Sequence, residues 1–135
     1  MEHGDYDTHG HQLARKAPLL EDLVTSRRSF LDDLAASQLA DRVMVLVYSE
    51  FGRRVAENGF SGTDHGTARP VFLAGPAVKP GLAESYPSLT DLQDGDLKMA
   101  VDFRRVYATV LASWLGLPSN QALGGAFDPM PLFRS

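Results

Sequence analysis

The fold of this chain is decided by one stretch, residues 42–54, which reads RVMVLVYSEFGRR. Its six consecutive apolar or aromatic residues, Val43 to Tyr48, are typical of a strand that is buried on both faces of a parallel sheet. The apolar run stops at Ser49 and Glu50, so a carboxylate follows the C-terminal end of the strand. Open α/β sheets bind their ligands at that edge. The stretch therefore predicts an α/β fold with a functional site close to Glu50.

Candidate metal ligands lie on both sides of this strand. Downstream, a polar, glycine-rich loop over residues 55–69 carries Asp64 and His65. Upstream, Asp7 and His9 are two residues apart, and side chains at this spacing in an extended segment point to the same side. Carboxylates and imidazoles that converge can ligate one divalent cation, and this donor set suits Zn, Mn, Mg and Ca without ranking them. We therefore predict a single metal site built from five residues: Asp7, His9, Glu50, Asp64 and His65.

The alternative for the N-terminal segment is a solvated tail. Residues 1–11 show no apolar periodicity, and they hold three of the four histidines. For His3 and His11 the tail is the better interpretation. For Asp7 and His9 the spacing favours a ligand role.

Two arginines follow the strand and are candidates for substrate binding. The guanidinium groups of Arg53 and Arg54 suit phosphate or sulfate, because their planar donors match the oxygens of such anions. A solvated pair of surface charges is an equally good interpretation.

The first long helix is predicted near residues 17–39 from apolar residues that recur at helical spacing. The pattern could begin as early as Gln12. Pro18 is tolerated only in a first turn, however, and this favours a start near Ala17.

The remaining elements are two strands and a second helix. Strands are predicted at Val43–Ser49 and Val71–Ala74, and a helix at residues 102–115. Asp102 is a good N-cap for that helix, and Gly116 is placed to end it.

Composition and charge exclude several classes of protein. The chain has 135 residues, of which 44% are hydrophobic and 22% are charged, as in ordinary globular domains. The net charge is −4, whereas nucleic-acid-binding surfaces are basic, so nothing in the charge suggests such a partner. The absence of cysteine excludes disulfides and thiolate metal sites. No apolar run approaches the roughly 18 residues of a membrane span.

Residues 26–31 read SRRSFL and look like a twin-arginine export motif. Asp32 and Asp33 interrupt the apolar region that a signal peptide needs directly after such a motif. We therefore interpret residues 26–31 as helix surface.

The predicted strands and helices are too few to cover one another's apolar surfaces. Two short strands and two helices would expose long apolar edges, which favour aggregation. We therefore expect residues 1–135 to be a single partial domain, the C-terminal part of a larger α/β domain. The alternative is a small α+β domain that stands alone or dimerises through its sheet edge.

Several ordered motifs resemble those of one known family. They lie in a single register along nearly the whole chain: Asp7-Thr8-His9 with Gln12, Ser49-Glu50-Phe51-Gly52-Arg53, Gly62-Thr63-Asp64-His65-Gly66, Val71-Phe72-Leu73-Ala74-Gly75, Asp102-Phe103-Arg104 and Trp114-Leu115-Gly116. In this they resemble the C-terminal third of the bacterial sulfatase-like proteins called domain of unknown function 1501, a group related to the alkaline phosphatase superfamily. The resemblance implies the α/β sandwich of that superfamily, here in incomplete form.

The resemblance also implies which residues hold the metal. In the superfamily a carboxylate and histidine pair follows one core strand, and Asp7 and His9 look like that pair. An acidic ligand ends the next strand, where Glu50 stands; an Asp-His pair is more usual there, so Glu50 with Phe51 departs from the pattern. A last histidine precedes a short strand that ends in Gly-Pro, and His65 matches it.

The function implied is metal-assisted hydrolysis of phosphate or sulfate esters. The superfamily's nucleophile and a further Asp ligand lie in the N-terminal half, and residues 1–135 contain neither. The expected partners are therefore the missing N-terminal part of the domain and a small anionic ester, with no nucleic acid and no membrane span. Related full-length proteins often look exported, although we predict no signal peptide here. The alternative function is a non-catalytic metal-binding or scaffolding protein of the same fold.

Overall fold

The computed structural model describes residues 4–134, which form two compact units. The first unit contains the chain up to Pro76 together with Ser88–Lys98, and the second contains Ala77–Pro87 together with the chain from Met99 onward. The elements of the first unit are α1 (Gln12–Ala36), a 3₁₀ turn (Ala40–Arg42), β1 (Val45–Val47), β2 (Gly52–Arg53), β3 (His65–Gly66), β4 (Phe72–Ala74), β5 (Leu92–Gln93) and β6 (Asp96–Leu97). Those of the second are α2 (Phe103–Thr109), its π-helical continuation (Val110–Trp114) and α3 (Ser119–Leu123).

Helices are thus mixed with small antiparallel sheets, which is consistent with the predicted α/β class. Each sheet has two strands, and the pairs are β1 with β4, β2 with β3, and β5 with β6. Within residues 4–134 there is no helix with the length and apolar character that crossing a bilayer requires.

The apolar run at residues 43–48 does form a strand, but its surroundings differ from the prediction. Val45, Leu46 and Val47 pair with Ala74, Leu73 and Phe72 in antiparallel register, and they are half-buried. The predicted parallel sheet, buried on both faces, is therefore wrong for this pair. The physical reason lies in the connection between the strands: parallel neighbours need a crossover of a dozen or more residues, usually a helix. The connection here contains the β2–β3 hairpin and no helix.

Helix α1 begins at Gln12, five residues before the expected start, and it carries Pro18 in its interior. Contacts with a distant loop account for the early start. The backbone N–H groups of His11 and Gln12 donate to the carbonyls of Phe60 and Ser61, each at 2.9 Å. These bonds satisfy donors that a helix N-terminus otherwise leaves open, so the first turn forms despite the proline that follows.

The end of α1 is set by Gln38, which has a left-handed φ of 58°. The N–H of Leu39 donates to the carbonyl of Leu34 at 2.8 Å, and the N–H of Gln38 donates to that of Ala35 at 3.1 Å. This pair of bonds is a Schellman motif. Leu34 is the buried residue of the helix, whereas the predicted apolar stripe stays largely open at Leu20, Val24 and Phe30.

In the second unit the predicted helix signals are confirmed. The Asp102 carboxylate accepts a hydrogen bond from the Arg104 N–H at 2.9 Å and caps α2. Gly116 has a φ of 66° and ends the helical segment. Thr109, fully buried, accepts a hydrogen bond on its Oγ1 from the Met130 N–H at 2.7 Å, which fastens the C-terminal segment to α2.

Candidate metal centre

The β2–β3 hairpin provides one half of the candidate site. Arg53 lies opposite His65 in its register, and Gly52 lies opposite Gly66. A Cβ on Gly52 would collide with the carbonyl oxygen of Ala68, and one on Gly66 would lie 2.7 Å from the carbonyl carbon of Arg53. Both positions need glycine because the two backbones approach so closely. The glycine pair thereby fixes Arg53 and His65 beside each other.

The N-terminal segment provides the other half, and Asn58 holds it in place. The Asn58 Nδ2 donates to the carbonyl of His9 at 3.0 Å, and its Oδ1 accepts from the N–H groups of Phe60 and Gly62 at 3.0 and 3.1 Å. A Cβ on Gly62 would collide with the His9 carbonyl, so this glycine admits the segment. Asn58 was not among the predicted site residues; its only sequence signal is an asparagine in a glycine-rich loop.

Asp7, His9 and His65 meet at one point. The Asp7 Oδ1 lies 3.0 Å from the His9 Nε2 and 2.9 Å from the His65 Nε2, and the two Nε2 atoms are 3.1 Å apart. Among residues 4–134, this is the group of acidic and histidine side chains whose ligand atoms could hold one ion. The three side chains are about half exposed, at 51%, 44% and 45%.

With Asp7 ionised, the form that its lowered pKa favours, protons alone leave a conflict in this triangle of atoms. If both Nε2 atoms carry a proton for the carboxylate, the two N–H groups face each other at 3.1 Å. If one Nε2 is bare, its lone pair faces the carboxylate oxygen. A cation in contact with all three atoms removes this conflict, and a triangle of this size accommodates the roughly 2.0–2.2 Å bonds of nitrogen and oxygen ligands. The donor set of one carboxylate and two imidazoles therefore fits a divalent metal.

Arg53 supports this group from below the surface. Its Nη2 donates to the Asp7 Oδ1 at 2.7 Å, and its Nη1 donates to the Thr63 carbonyl at 2.8 Å. The side chain is only 15% exposed. Phe51 stacks on the His65 ring with centroids 3.6 Å apart and lies 5.2 Å from the Arg53 guanidinium. The bond to the Thr63 carbonyl fixes the guanidinium, its second bond then orients the Asp7 carboxylate, and the stacked ring orients the imidazole.

The carboxylates of the site are stabilised in their ionised form. The hydrogen bond with His65 is the largest cause that lowers the pKa of Asp7; the bond from Arg53 lowers it further, and partial desolvation opposes both. The pKa of Asp64 is also lowered, chiefly by the hydrogen bond from Asn58, which is 3.0 Å long. An ionised carboxylate is the form that ligates a metal.

The structure brings together three of the five predicted ligands and leaves two outside the triangle. Asp64 lies behind His9, with its Oδ1 3.7 Å from the His9 Nδ1. Glu50 is exposed and does not belong to the group. Of the other N-terminal histidines, His11 is exposed at the start of α1, and His3 lies outside the described residues.

The two predicted substrate-binding arginines point to different places. Arg53 belongs to the cluster. Arg54 contacts the β5–β6 hairpin instead, where its Nη2 donates to the Asp94 carbonyl at 2.6 Å and its Nε lies 3.4 Å from the Asp96 Oδ1. Arg54 therefore ties the two hairpins together in this structure.

Fold and cluster together define an α/β protein with a candidate metal-binding centre. The model of the family described as protein of unknown function (DUF1501) matches residues 1–126, so the chain belongs to that family. No curated protein and no solved structure matches the chain.

Proposed function

We propose that this chain carries the metal-binding part of a hydrolase that acts on phosphate or sulfate esters, with a fold of the alkaline phosphatase type. The observation that supports it most directly is the triangle of Asp7, His9 and His65, whose three ligand atoms lie 2.9–3.1 Å apart. The order of motifs described above, which resembles the superfamily, supports the choice of reaction.

In this proposal each side chain has a distinct task. Asp7, His9 and His65 hold the ion. Arg53 keeps Asp7 ionised and oriented, and its positive charge favours an anionic group nearby. Asp64 lies on the far side of His9 and orients the imidazole, as carboxylates behind metal-bound histidines do. When bound, a divalent cation supplies Lewis-acid polarisation of the ester oxygen.

The second candidate is a non-catalytic metal-binding or scaffolding protein. Three hydroxyl groups from the segments that build the cluster favour it, because each of them is either hydrogen-bonded as a donor or buried. The Thr63 Oγ1 donates to the Gln12 Oε1 at 2.7 Å, the Ser49 Oγ donates to the Phe51 carbonyl at 2.7 Å, and Thr8 is fully buried. A catalytic role therefore requires a nucleophile from outside these side chains.

Both candidate functions require metal binding, and metal titration of the purified chain tests this requirement. Calorimetry with Zn²⁺, Mn²⁺, Mg²⁺ and Ca²⁺ should show binding of at least one of these ions, and Asp7→Asn or His65→Ala should weaken it at least tenfold. His11→Asn is the matched control, because this histidine is exposed and outside the triangle. Equal affinity in all variants would refute the site.

Turnover then separates the two candidates. Aryl phosphate and aryl sulfate are supplied to the metal-loaded chain. Hydrolysis that disappears in His65→Ala supports the enzyme. Metal binding without hydrolysis of either ester supports the scaffolding protein.

A further inference from the structure

Helix α1 of the first unit has one apolar face that is open to solvent. Its inward side ends with the buried Leu34, whereas Leu13, Leu20 and Val24 are exposed by 89%, 46% and 53%. Together with Ala17, these three residues follow one another at intervals of four, three and four along the helix, so they form a single stripe, the α1 stripe. A stripe with this spacing is the surface through which one helix packs against another.

Two residues of opposite charge border the α1 stripe. Glu21 directly follows Leu20, and Arg28 lies one turn beyond Val24. The two charged residues are seven positions apart, which is about two turns, so they lie on the same side of the helix. Both are exposed. Any helix that packs on the stripe therefore meets one negative and one positive charge along the same border.

The chain itself leaves room for partners of both charges. Ion pairs along one helix form between residues three or four positions apart, and Glu21 has no basic residue at that spacing. Arg28 donates to the Asp32 carboxylate through its Nε, at 2.8 and 3.0 Å. A guanidinium carries further donors on its two Nη groups, and these suit a second carboxylate.

A second copy of the same helix complements both charges when the two helices run antiparallel. With a two-fold axis beside Val24, Glu21 of each copy faces Arg28 of the other, so two attractive contacts form at once. In a parallel pair each of these residues faces its own copy, and like charges repel. The order of charges along α1 thus favours one partner, an identical helix, and one orientation.

We propose that the α1 stripe binds the α1 stripe of a second copy of this chain, with the two helices antiparallel and Glu21 of each paired with Arg28 of the other. Packing the two stripes together removes their apolar side chains from water. Because the 25-residue helix begins three positions after His9, the dimer carries its two candidate metal centres at opposite ends of the helix pair, roughly 37 Å apart. The inference goes beyond the proposed function and does not depend on it.

Sedimentation equilibrium of the purified full chain tests the dimer. The wild-type chain should show a monomer–dimer equilibrium, and Val24→Glu should weaken dimerisation at least tenfold, because the axis brings two carboxylates together in an apolar seam. Val24 is half-exposed in the single chain, so the variant should keep its helix, which circular dichroism checks. Arg15→Glu is the control, since this exposed residue lies on the opposite side of α1 from the stripe and should leave dimerisation unchanged.

Charge exchange tests the orientation of the helices. Glu21→Arg and Arg28→Glu should each weaken dimerisation about three- to tenfold, because attractive contacts become repulsive. The double variant should recover most of the affinity, since the pairs re-form with exchanged signs. In a parallel pair neither single variant adds a repulsion, so unchanged affinity in both would overturn the antiparallel arrangement. A wild-type chain that stays monomeric at every concentration, or a dimer that Val24→Glu leaves intact, would overturn the interface itself.

Discussion

Arg53 and His65 face each other across the β2–β3 hairpin, and both reach the same oxygen atom of Asp7. The Arg53 Nη2 lies 2.7 Å from the Asp7 Oδ1, and the His65 Nε2 lies 2.9 Å from it. The register of a two-residue strand pair is therefore part of the site: a shift by one residue would send one of the two side chains to the other face.

Arg53→Lys should damage the site although it keeps the charge. A lysine is a point charge on a flexible stem, so it cannot donate to Asp7 and to the Thr63 carbonyl in the fixed directions that the guanidinium uses. We expect a loss of about 1–2 kcal/mol in the free energy of unfolding, measured by urea denaturation, and weaker metal binding. Lys16→Arg is the reverse exchange outside the cluster and should leave the free energy of unfolding nearly unchanged.

Gly52→Ala should disrupt the hairpin. The new methyl group would collide with the Ala68 carbonyl, which is backbone and cannot rotate away. We expect destabilisation of about 3 kcal/mol or more by thermal or urea unfolding. Gly59→Ala is the control, since a Cβ there meets nothing within 4 Å. Similar behaviour of the two variants would mean that the close approach at Gly52 is wrong.

Asp64→Asn should weaken metal binding about tenfold without changing the ligand set. The carboxylate lies 3.7 Å from the His9 Nδ1, on the side away from the candidate ion, where it can orient the imidazole. Calorimetry compares the variant with Asp5→Asn, an exposed aspartate outside the group. A metal affinity equal to that of wild type would leave Asp64 with no role beyond its bond to Asn58.

The N-cap of α2 should make the helix sensitive to acid. Hydrogen bonds from the Arg104 side chain and backbone lower the pKa of Asp102 to about 2, from 3.8. Because the folded-state pKa is the lower one, the contribution to stability is present above pH 3.8 and is lost as the pH falls toward 2. Circular dichroism over this interval should show a loss of stability that is smaller in Asp102→Asn. An identical acid profile in the two proteins would contradict the assignment.

Local signals in the sequence predict part of this structure well. Asp102 predicts the N-cap of a helix and Gly116 predicts its end, because each residue meets the needs of a helix end by itself. The convergence of Asp7 and His9 followed from their spacing in an extended segment, and the structure places their ligand atoms 3.0 Å apart.

Features that depend on distant contacts were not predictable in the same way. The start of α1 is fixed by carbonyls about fifty residues away, at Phe60 and Ser61. The bond between Arg53 and Asp7 joins positions 46 residues apart, and no local pattern announces it. The direction of β1 depends on which segment returns to pair with it. An apolar run indicates a strand but carries no information about its partner.

Asn58 is followed by Gly59, and this pair makes the site sensitive to chemical ageing. An asparagine before glycine is prone to spontaneous deamidation, because the small neighbour lets the next backbone nitrogen attack the side-chain amide. The product would carry a carboxylate where the Nδ2 now donates to the His9 carbonyl and to the Asp64 carboxylate. One donor would be lost and two negative charges would face each other. The amide that joins the two halves of the site is thus also its chemically labile group. As Asn58 deamidates, stored samples should lose the site before they lose the fold.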